Sequence, residues 1–294
     1  MPGIPIANRT KRVLLGLIGS PIAHSAAPAM HETAARAAGF ALHYHLIEVA
    51  GAGRDDLVAM LDGVRRMGFS GVNVTYPYKE AVVPLLDALS QEAAAMGAVN
   101  TVVARDGVLT GHNTDATGFA TAYRALNRDD GDAPVAIIGT GGVGKAIGFA
   151  LVGCGVGHLK LFDSDPAKAQ ALATQIGARA RVEICTSVEA AAAGTAGLVN
   201  GTPIGMLPNR DSPIPAGLIH KSQWVADAVY HPLWTPLLKA AQTAGAMVMT
   251  GRELSINQAV DAFTLFTGVQ PPAGAIAEAF DRALAAQEAS HKAA

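Results

Sequence analysis

Lys79 closes the stretch Gly71-Val-Asn-Val-Thr-Tyr-Pro-Tyr-Lys79, in which an apolar run ends at Thr75 and Pro77 imposes an extended turn. A lysine at the carboxyl end of a strand stands where open α/β sheets place their ligands, and a neutral amine there accepts a proton. The plainer alternative is a solvated turn residue. A second polar cluster, Gly97-Ala-Val-Asn-Thr101 followed by Gly111-His-Asn-Thr-Asp115, also falls at strand ends. Asn100 bonds a ligand hydroxyl or merely makes a turn; Asp115 partners Lys79 or caps the helix that follows.

The third chemical stretch is Val135-Ala-Ile-Ile-Gly-Thr-Gly-Gly-Val-Gly-Lys145. Four apolar residues read as a buried strand, and Gly139, Gly141 and Gly144 then fall at the Gly-x-Gly-x-x-Gly spacing before a helical run. Gly139 permits the tight turn, Gly141 the approach of a diphosphate, and Gly144 the packing of helix on strand. Thr140, Gly142 and Val143 complete the loop, whose free amides at a helix start suit a dinucleotide. The strand Leu159 to Phe162 ends at Asp163, 24 residues after Gly139. A carboxylate there bonds ribose hydroxyls and repels a 2′-phosphate, which favours NAD over NADP. Lys168 reaches toward a phosphate, or is a solvated lysine in a helix started by Asp165 and Pro166, and it keeps NADP in view.

These residues need a scaffold of alternating elements. Strands are predicted at Val13 to Ile18, His43 to Val49 and Gly71 to Thr75, with helices at Pro28 to Ala38 and Leu57 to Met67. Thr101 to Ala104 with Val108 to Thr110 forms a hairpin or a bent edge, and Asp115 to Leu126 a helix. The polar run Asn127 to Pro134 links to a second series of strands at 135–138, 159–162, 182–184, 197–200, 224–227 and 247–249. The Ala-rich stretch Glu189 to Ala193 is helix filler. Thr250 opens a helical run to Phe266, Ala273 to Ala286 makes another helix, and the tail from Glu288 is loose. Such alternation implies a mostly parallel sheet covered on both faces. The expected fold is α/β in two domains with a cleft between. A mixed α/β substrate domain spans residues 1–115 and is completed by the C-terminal helices at 253–294; a dinucleotide-binding domain of Rossmann type spans 116–252.

The 294 residues suffice for two such domains. With 22 basic and 24 acidic side chains the net charge is −2, so no broad basic surface for nucleic acid is expected. Only Cys154 and Cys185 are present, at no metal-site spacing, which points to a reducing cytoplasm and no metal. Hydrophobic residues make up 50% of the chain, yet its longest apolar stretch, Ala133 to Gly157, is too rich in glycine to span a membrane. Lys11, Arg12 and the apolar run to Gly19 imitate a short export signal, but Gly16, Gly19 and Pro21 interrupt it and a strand fits better.

Taken together, the set Gly16-Leu-Ile-Gly-Ser-Pro-Ile-Ala-His-Ser25, Asn73 to Lys79, Gly97 to Thr101, Asn113-Thr-Asp115, Asn200-Gly-Thr-Pro-Ile-Gly-Met206, Asp227-Ala-Val-Tyr230 and Gln258 resembles the shikimate dehydrogenase family. It covers nearly the whole chain in order. Within the family the chain is most similar to the quinate/shikimate dehydrogenases that use NAD. The resemblance implies that Lys79 takes the proton of the ring hydroxyl being oxidised, with Asp115 orienting it, while hydride passes to a nicotinamide. It implies that Ser25 binds the carboxylate of a cyclic hydroxy acid, that Thr75, Asn100 and Gln258 bind ring hydroxyls, and that Tyr230 lies near the carboxylate. Thr202, Pro203, Met206, Ala228 and Gly251 would line the nicotinamide side. The partner is then a small molecule, acted on by a monomer or homodimer.

Three features complicate the match. An anionic Asp115 favours charged Lys79, whereas a base must be neutral; either desolvation restores the amine or Asp115 takes the proton and Lys79 stabilises the alkoxide. The family commonly carries a second hydroxyl two residues after the first serine, and here Ala27 stands in Ser25-Ala-Ala-Pro28. One bond to the carboxylate is missing, which implies weak binding of shikimate and quinate or a different polyol acid. Arg252 and Glu253 also replace a commoner glycine-rich pattern, as a surface ion pair at a helix start or as charge near the nicotinamide. A same-fold dehydrogenase for aminoshikimate and an NAD sensor without turnover stay open as alternatives.

Overall fold

The computed structural model describes residues 12–128, 130 and 132–293. Lys11 of the signal-like stretch and Asp129 and Gly131 of the linker lie outside the described residues. The chain forms two compact units: one holds the described residues to Leu89, Val99–His112 and the part from Ala262 on, the other Ser90–Ala98 and Asn113–Asp261. The division falls at His112 rather than after Asp115, and at Asp261 rather than Arg252.

In the first unit, β1 (Arg12–Gly19) is an interior strand of the sheet, with Leu15 and Ile18 fully buried. It runs parallel to β2 (Ala41–Glu48) on one side and β3 (Gly71–Val74) on the other. Beyond β3 the expected parallel pattern gives way: β5 (Thr101–Arg105) pairs antiparallel with β3 and with β6 (Val108–His112). A two-residue turn, Asp106-Gly107, joins β5 to β6 with φ of 52° and 79°, the left-handed pair whose twist matches a hairpin. The bent-edge alternative is thereby settled as a hairpin, and the sheet is mixed. A two-residue strand, β4 (Ala88–Leu89), closes the far edge and has no counterpart in the sequence pattern.

The helices α1 (Ala27–Ala37) and α2 (Arg54–Arg66) follow β1 and β2, near their predicted places. α10 (Ala275–Ala293) packs against α1, as expected of a returning C-terminal helix. It continues to Ala293, so the predicted end at Ala286 and the loose tail are corrected: nothing from Ala283 onward breaks a helix, and alanines favour one. α9 (Gly251–Thr267) is divided between the units at Asp261.

The second unit is a doubly wound parallel sheet. Its strands are β7 (Val135–Ile138), β8 (His158–Phe162), β9 (Arg181–Ile184), β10 (Gly197–Asn200), β11 (Trp224–Asp227) and β12 (Met247–Met249), in the order β12-β11-β10-β7-β8-β9. The order reverses between β7 and β10, the switch point where such sheets hold ligands. All six strands lie at their predicted positions; β7 and β10 are buried throughout because helices cover both faces. The helices are α4 (Thr114–Ala125), α5 (Gly142–Gly153), α6 (Pro166–Ile176), α7 (Val188–Ala192) and α8 (Pro236–Thr243). A short α3 (Gln91–Met96), capped by Ser90 and ended by Gly97 at φ 62°, joins this unit. Neither α3 nor α8 was foreseen. No helix of the described residues is long and apolar enough to cross a membrane.

Candidate active site

In the first unit the predicted residues gather where β1 and β3 end and β5 begins. Thr75 N–H donates to Ile18 O at 2.9 Å, and its methyl lies where a Cβ on Gly19 would be, 2.3 Å away, so only glycine fits there. The turn after β3 returns Lys79 to the start of β5, since Val99 N–H donates to Lys79 O at 2.8 Å and Val74 N–H to Asn100 O at 2.8 Å. Tyr78 pins this turn: its hydroxyl donates to Val49 O at 2.6 Å and accepts from Ala52 N–H at 2.9 Å. Thr75, Lys79 and Asn100 are therefore neighbours on one backbone framework. Ser25 sits just before α1, and its Oγ accepts the Ala27 N–H at 3.2 Å, which leaves its proton to donate.

Asn100 is buried to 4% exposure and belongs to a polar chain that the sequence pattern did not single out. Tyr44, Asn73 and Thr101, on β2, β3 and β5, link to it by hydrogen bonds of 2.8 to 3.1 Å. The available signal was Asn73, a polar residue in an otherwise apolar strand.

In the second unit, Asp115 lies in the first turn of α4, 6% exposed. The cap of that helix is Asn113, whose Oδ1 accepts the Ala116 N–H at 3.3 Å, which removes the N-cap alternative for Asp115. Gln258 comes to the same turn, because Thr114 Oγ donates to its Oε1 at 3.4 Å and Gly118 leaves room for the α9 backbone. A Cβ on Gly118 would stand 2.6 Å from Gln258 N.

The Gly-rich turn meets the demands of a dinucleotide. Gly139 has φ of +89°, a conformation that side chains rarely adopt. A Cβ on Gly144 would fall 1.9 Å from Gly139 O, whereas nothing lies within 4 Å of the same point on Gly141. The loop is thus tight where helix meets strand and open where a diphosphate would lie on the amides of Gly142 and Val143. Asp163 fastens the loop: its Oδ2 accepts from Thr140 N at 2.7 Å and Thr140 Oγ at 3.0 Å, and its Oδ1 from Asp165 N at 2.9 Å. Burial raises the pKa of this carboxyl, but those donors and the Lys168 charge outweigh it and hold it below the ordinary carboxylate range. Lys168 itself is exposed, on a helix that Asp165 caps through Ala167 N–H, as predicted.

Across the switch point, Thr202 Oγ and N–H both donate to Asn200 Oδ1, at 2.7 and 2.9 Å. Asn200 Nδ2 donates to Asp227 Oδ1 at 2.9 Å, and Thr235 Oγ to Asp227 Oδ2 at 2.7 Å. Burial pushes the Asp227 carboxyl up to about 6, against the lowering by Thr235, Val229 and Asn200. Asn200 and Asp227 thus brace the loop that carries Thr202 and Pro203, a role not assigned from sequence although both end strands. Ala228 O would lie 2.9 Å from a Cβ on Gly251, so these two predicted residues are packed together. Met206 is exposed, and burial raises the Tyr230 phenol above its usual pKa. Glu253 pairs with Arg252 at 3.8 Å and also accepts from Thr250 N and Oγ at 3.1 and 2.7 Å, so it closes the start of α9.

Residues 17–102 match the family model for the shikimate dehydrogenase substrate binding domain, which includes Ser25, Thr75, Lys79 and Asn100. A quinate/shikimate dehydrogenase (NAD(+)) of Corynebacterium efficiens is 45% identical over 268 residues, covering 88% of this chain and 94% of the relative. The chain belongs to the shikimate dehydrogenase family. Within that family, a shikimate dehydrogenase (NADP(+)) of Streptomyces avermitilis is 40% identical over 88% of this chain and 91% of its own. Among solved structures, the quinate dehydrogenase from Corynebacterium glutamicum in complex with NAD matches with a TM-score of 0.85 and 40% identity, over 92% of this chain and all of that one.

Proposed function

We propose that this protein is an NAD-linked oxidoreductase that reversibly oxidises a ring hydroxyl of quinate, shikimate or a similar cyclic polyol acid. The observation that carries the reading is Lys79, delivered by the Tyr78-pinned turn beside Thr75 and Asn100, in a chain whose other unit has an open Gly-rich loop at a switch point. Asp163, fastened to Thr140 and negatively charged, supports NAD over NADP.

Bound nicotinamide supplies the acceptor for the hydride that leaves the ring carbon. Lys79 accepts the proton from that carbon's hydroxyl, so the alcohol becomes a ketone, and Asp115 orients the amine. Ser25 donates to the substrate carboxylate, with Tyr230 beside it, while Thr75, Asn100 and Gln258 hold ring hydroxyls. Gly139, Thr140, Gly141, Gly142, Val143, Gly144, Asp163 and Lys168 hold the dinucleotide; Thr202, Pro203, Met206, Ala228 and Gly251 line its nicotinamide end. A monomer or homodimer is part of the same proposal, as is a cytoplasmic location, which the free thiols of Cys154 and Cys185 support.

Lys79→Ala should lower kcat by roughly 100-fold or more with little change in NAD affinity. Quinate, shikimate and aminoshikimate, each offered with NAD and with NADP while reduced nicotinamide absorbance is followed, define the substrate. Wild-type turnover by Lys79→Ala would overturn the assignment, and no turnover of any acid would favour an NAD sensor.

A further inference from the structure

The buried chain that ends at Asn100 runs in one direction of hydrogen bonding, set at its centre by a backbone carbonyl. Asn73 contacts the backbone oxygen of Asn100 at 3.1 Å, and a carbonyl oxygen can only accept. The Asn73 nitrogen must therefore face that carbonyl, which turns its Oδ1 toward Tyr44 and makes the tyrosine hydroxyl the donor, at 2.8 Å. The second Asn73 N–H goes to Thr101 Oγ at 2.9 Å. Thr101 Oγ donates in turn to Asn100 Oδ1, 3.0 Å away. An amide whose oxygen faces Thr101 has its Nδ2 on the other edge.

We infer that Tyr44, Asn73 and Thr101 are positioning residues that lock the Asn100 side chain as a hydrogen-bond donor to the substrate ring. This rests on the proposed reading of Asn100 as a substrate ligand and adds the polarity of the contact. The atom Asn100 meets is an oxygen with a lone pair to give, a hydroxyl or a carbonyl. A ring ammonium has donors only and is refused at that position.

The span explains the residue types. β2 and β3 lie on opposite sides of β1, so the side chain linking them must cross two strand spacings, roughly 9.5 Å. Tyr44 and Asn73 together cover that width. Tyr44 is 3% exposed, and His31 stacks on its ring with centroids 5.0 Å apart, which fixes the ring's tilt. Thr101 is fully buried, so water does not replace its hydroxyl.

The test compares Asn100→Ala, Thr101→Val, Thr101→Ser and Tyr44→Phe in the full-length protein, with quinate or shikimate varied at saturating NAD. Asn100→Ala should raise KM for the acid by ~10-fold or more, and Thr101→Val, of equal shape, by ~3- to 10-fold. In both, KM for NAD stays unchanged. Thr101→Ser should restore the wild-type KM, and Tyr44→Phe should raise it by ~2- to 5-fold. In an Asn100→Ala background, Thr101→Val should add nothing further, because its effect passes through the missing amide. A purely structural role would instead lower the melting temperature and the active fraction at constant KM. If Asn100→Ala raises KM and Thr101→Val does not, or if the two effects multiply, the locking role is wrong. If Asn100→Ala leaves KM unchanged, Asn100 is not a substrate ligand and the broader reading of the site fails with it.

Discussion

His31 should make the first unit sensitive to acid. Its ring is 1% exposed on α1, stacked on Tyr44 and close to Phe263 and Phe266 with centroids 6.1 and 6.2 Å away. Nδ1 has no hydrogen-bond partner, and burial lowers the pKa from 6.5 to about 3. Between those values the unfolded chain binds a proton that the folded chain refuses, so stability falls as pH drops from 6.5 toward 3 and is fully present above 6.5. Working the two binding curves from 6.5 and about 3, the change from pH 7 to pH 5 removes about 2 kcal/mol. The perturbation is His31→Phe, which keeps a ring in the stack and takes away the proton site. Urea unfolding followed by far-UV circular dichroism at both pH values gives the loss for each protein; other titrating groups contribute equally and cancel in the difference. The variant should lose about 2 kcal/mol less than wild type. In parallel, NMR of the imidazoles should show His31, identified by its absence in the variant, still neutral at pH 5. Equal losses in both proteins, or a His31 signal that titrates near 6.5, would refute the reasoning.

Two further outcomes are expected. Gly144→Ala places a methyl 1.9 Å from Gly139 O, so the helix must move off the loop; NAD affinity measured by calorimetry should fall at least ~10-fold, and unchanged affinity would mean the turn does not hold the diphosphate. Ala27→Ser adds a hydroxyl two residues after Ser25, and one charge-assisted bond of about 1.5 to 3 kcal/mol should lower KM for quinate or shikimate by ~10-fold or more. A constant KM in initial-rate assays would show that Ala27 is not at the carboxylate.

What was legible in the sequence follows the range of the forces involved. The central strands β7 and β10 are buried throughout because helices cover both faces of their sheet, and such apolar runs announce themselves. The Gly-rich turn is legible for another reason: Gly144 answers Gly139 O five residues earlier, Gly139 the positive φ of its turn, and their spacing is short enough to read in the sequence. α3 is only six residues long and too short to show a period, although Ser90 before it and Gly97 after it are ordinary start and stop signals. Asp115 was open to reading as a cap because Asn113, two residues earlier, serves equally well by type; which side chain turns back on the helix is decided by backbone angles, with Asn113 at φ −125° and ψ 98°.

The substrate side is different in kind. Its binding residues were recognised from a pattern of polar positions, but the groups that orient them come from strands 27 to 29 residues apart and meet only through sheet register. Asn73 sits opposite Thr101 because β3 and β5 pair antiparallel, and β1, paired with both β2 and β3, sets the distance Tyr44 must cross. A parallel β3–β5 pair would have carried Thr101 to another level and left Asn73 buried without its second acceptor, at a cost of about 1 to 3 kcal/mol. The antiparallel pairing of β3 with β5 is thus the feature that lets a buried asparagine be satisfied. It also aims the amide of its neighbour, Asn100. Specificity here depends on strand direction as much as on the side chains that touch the ligand.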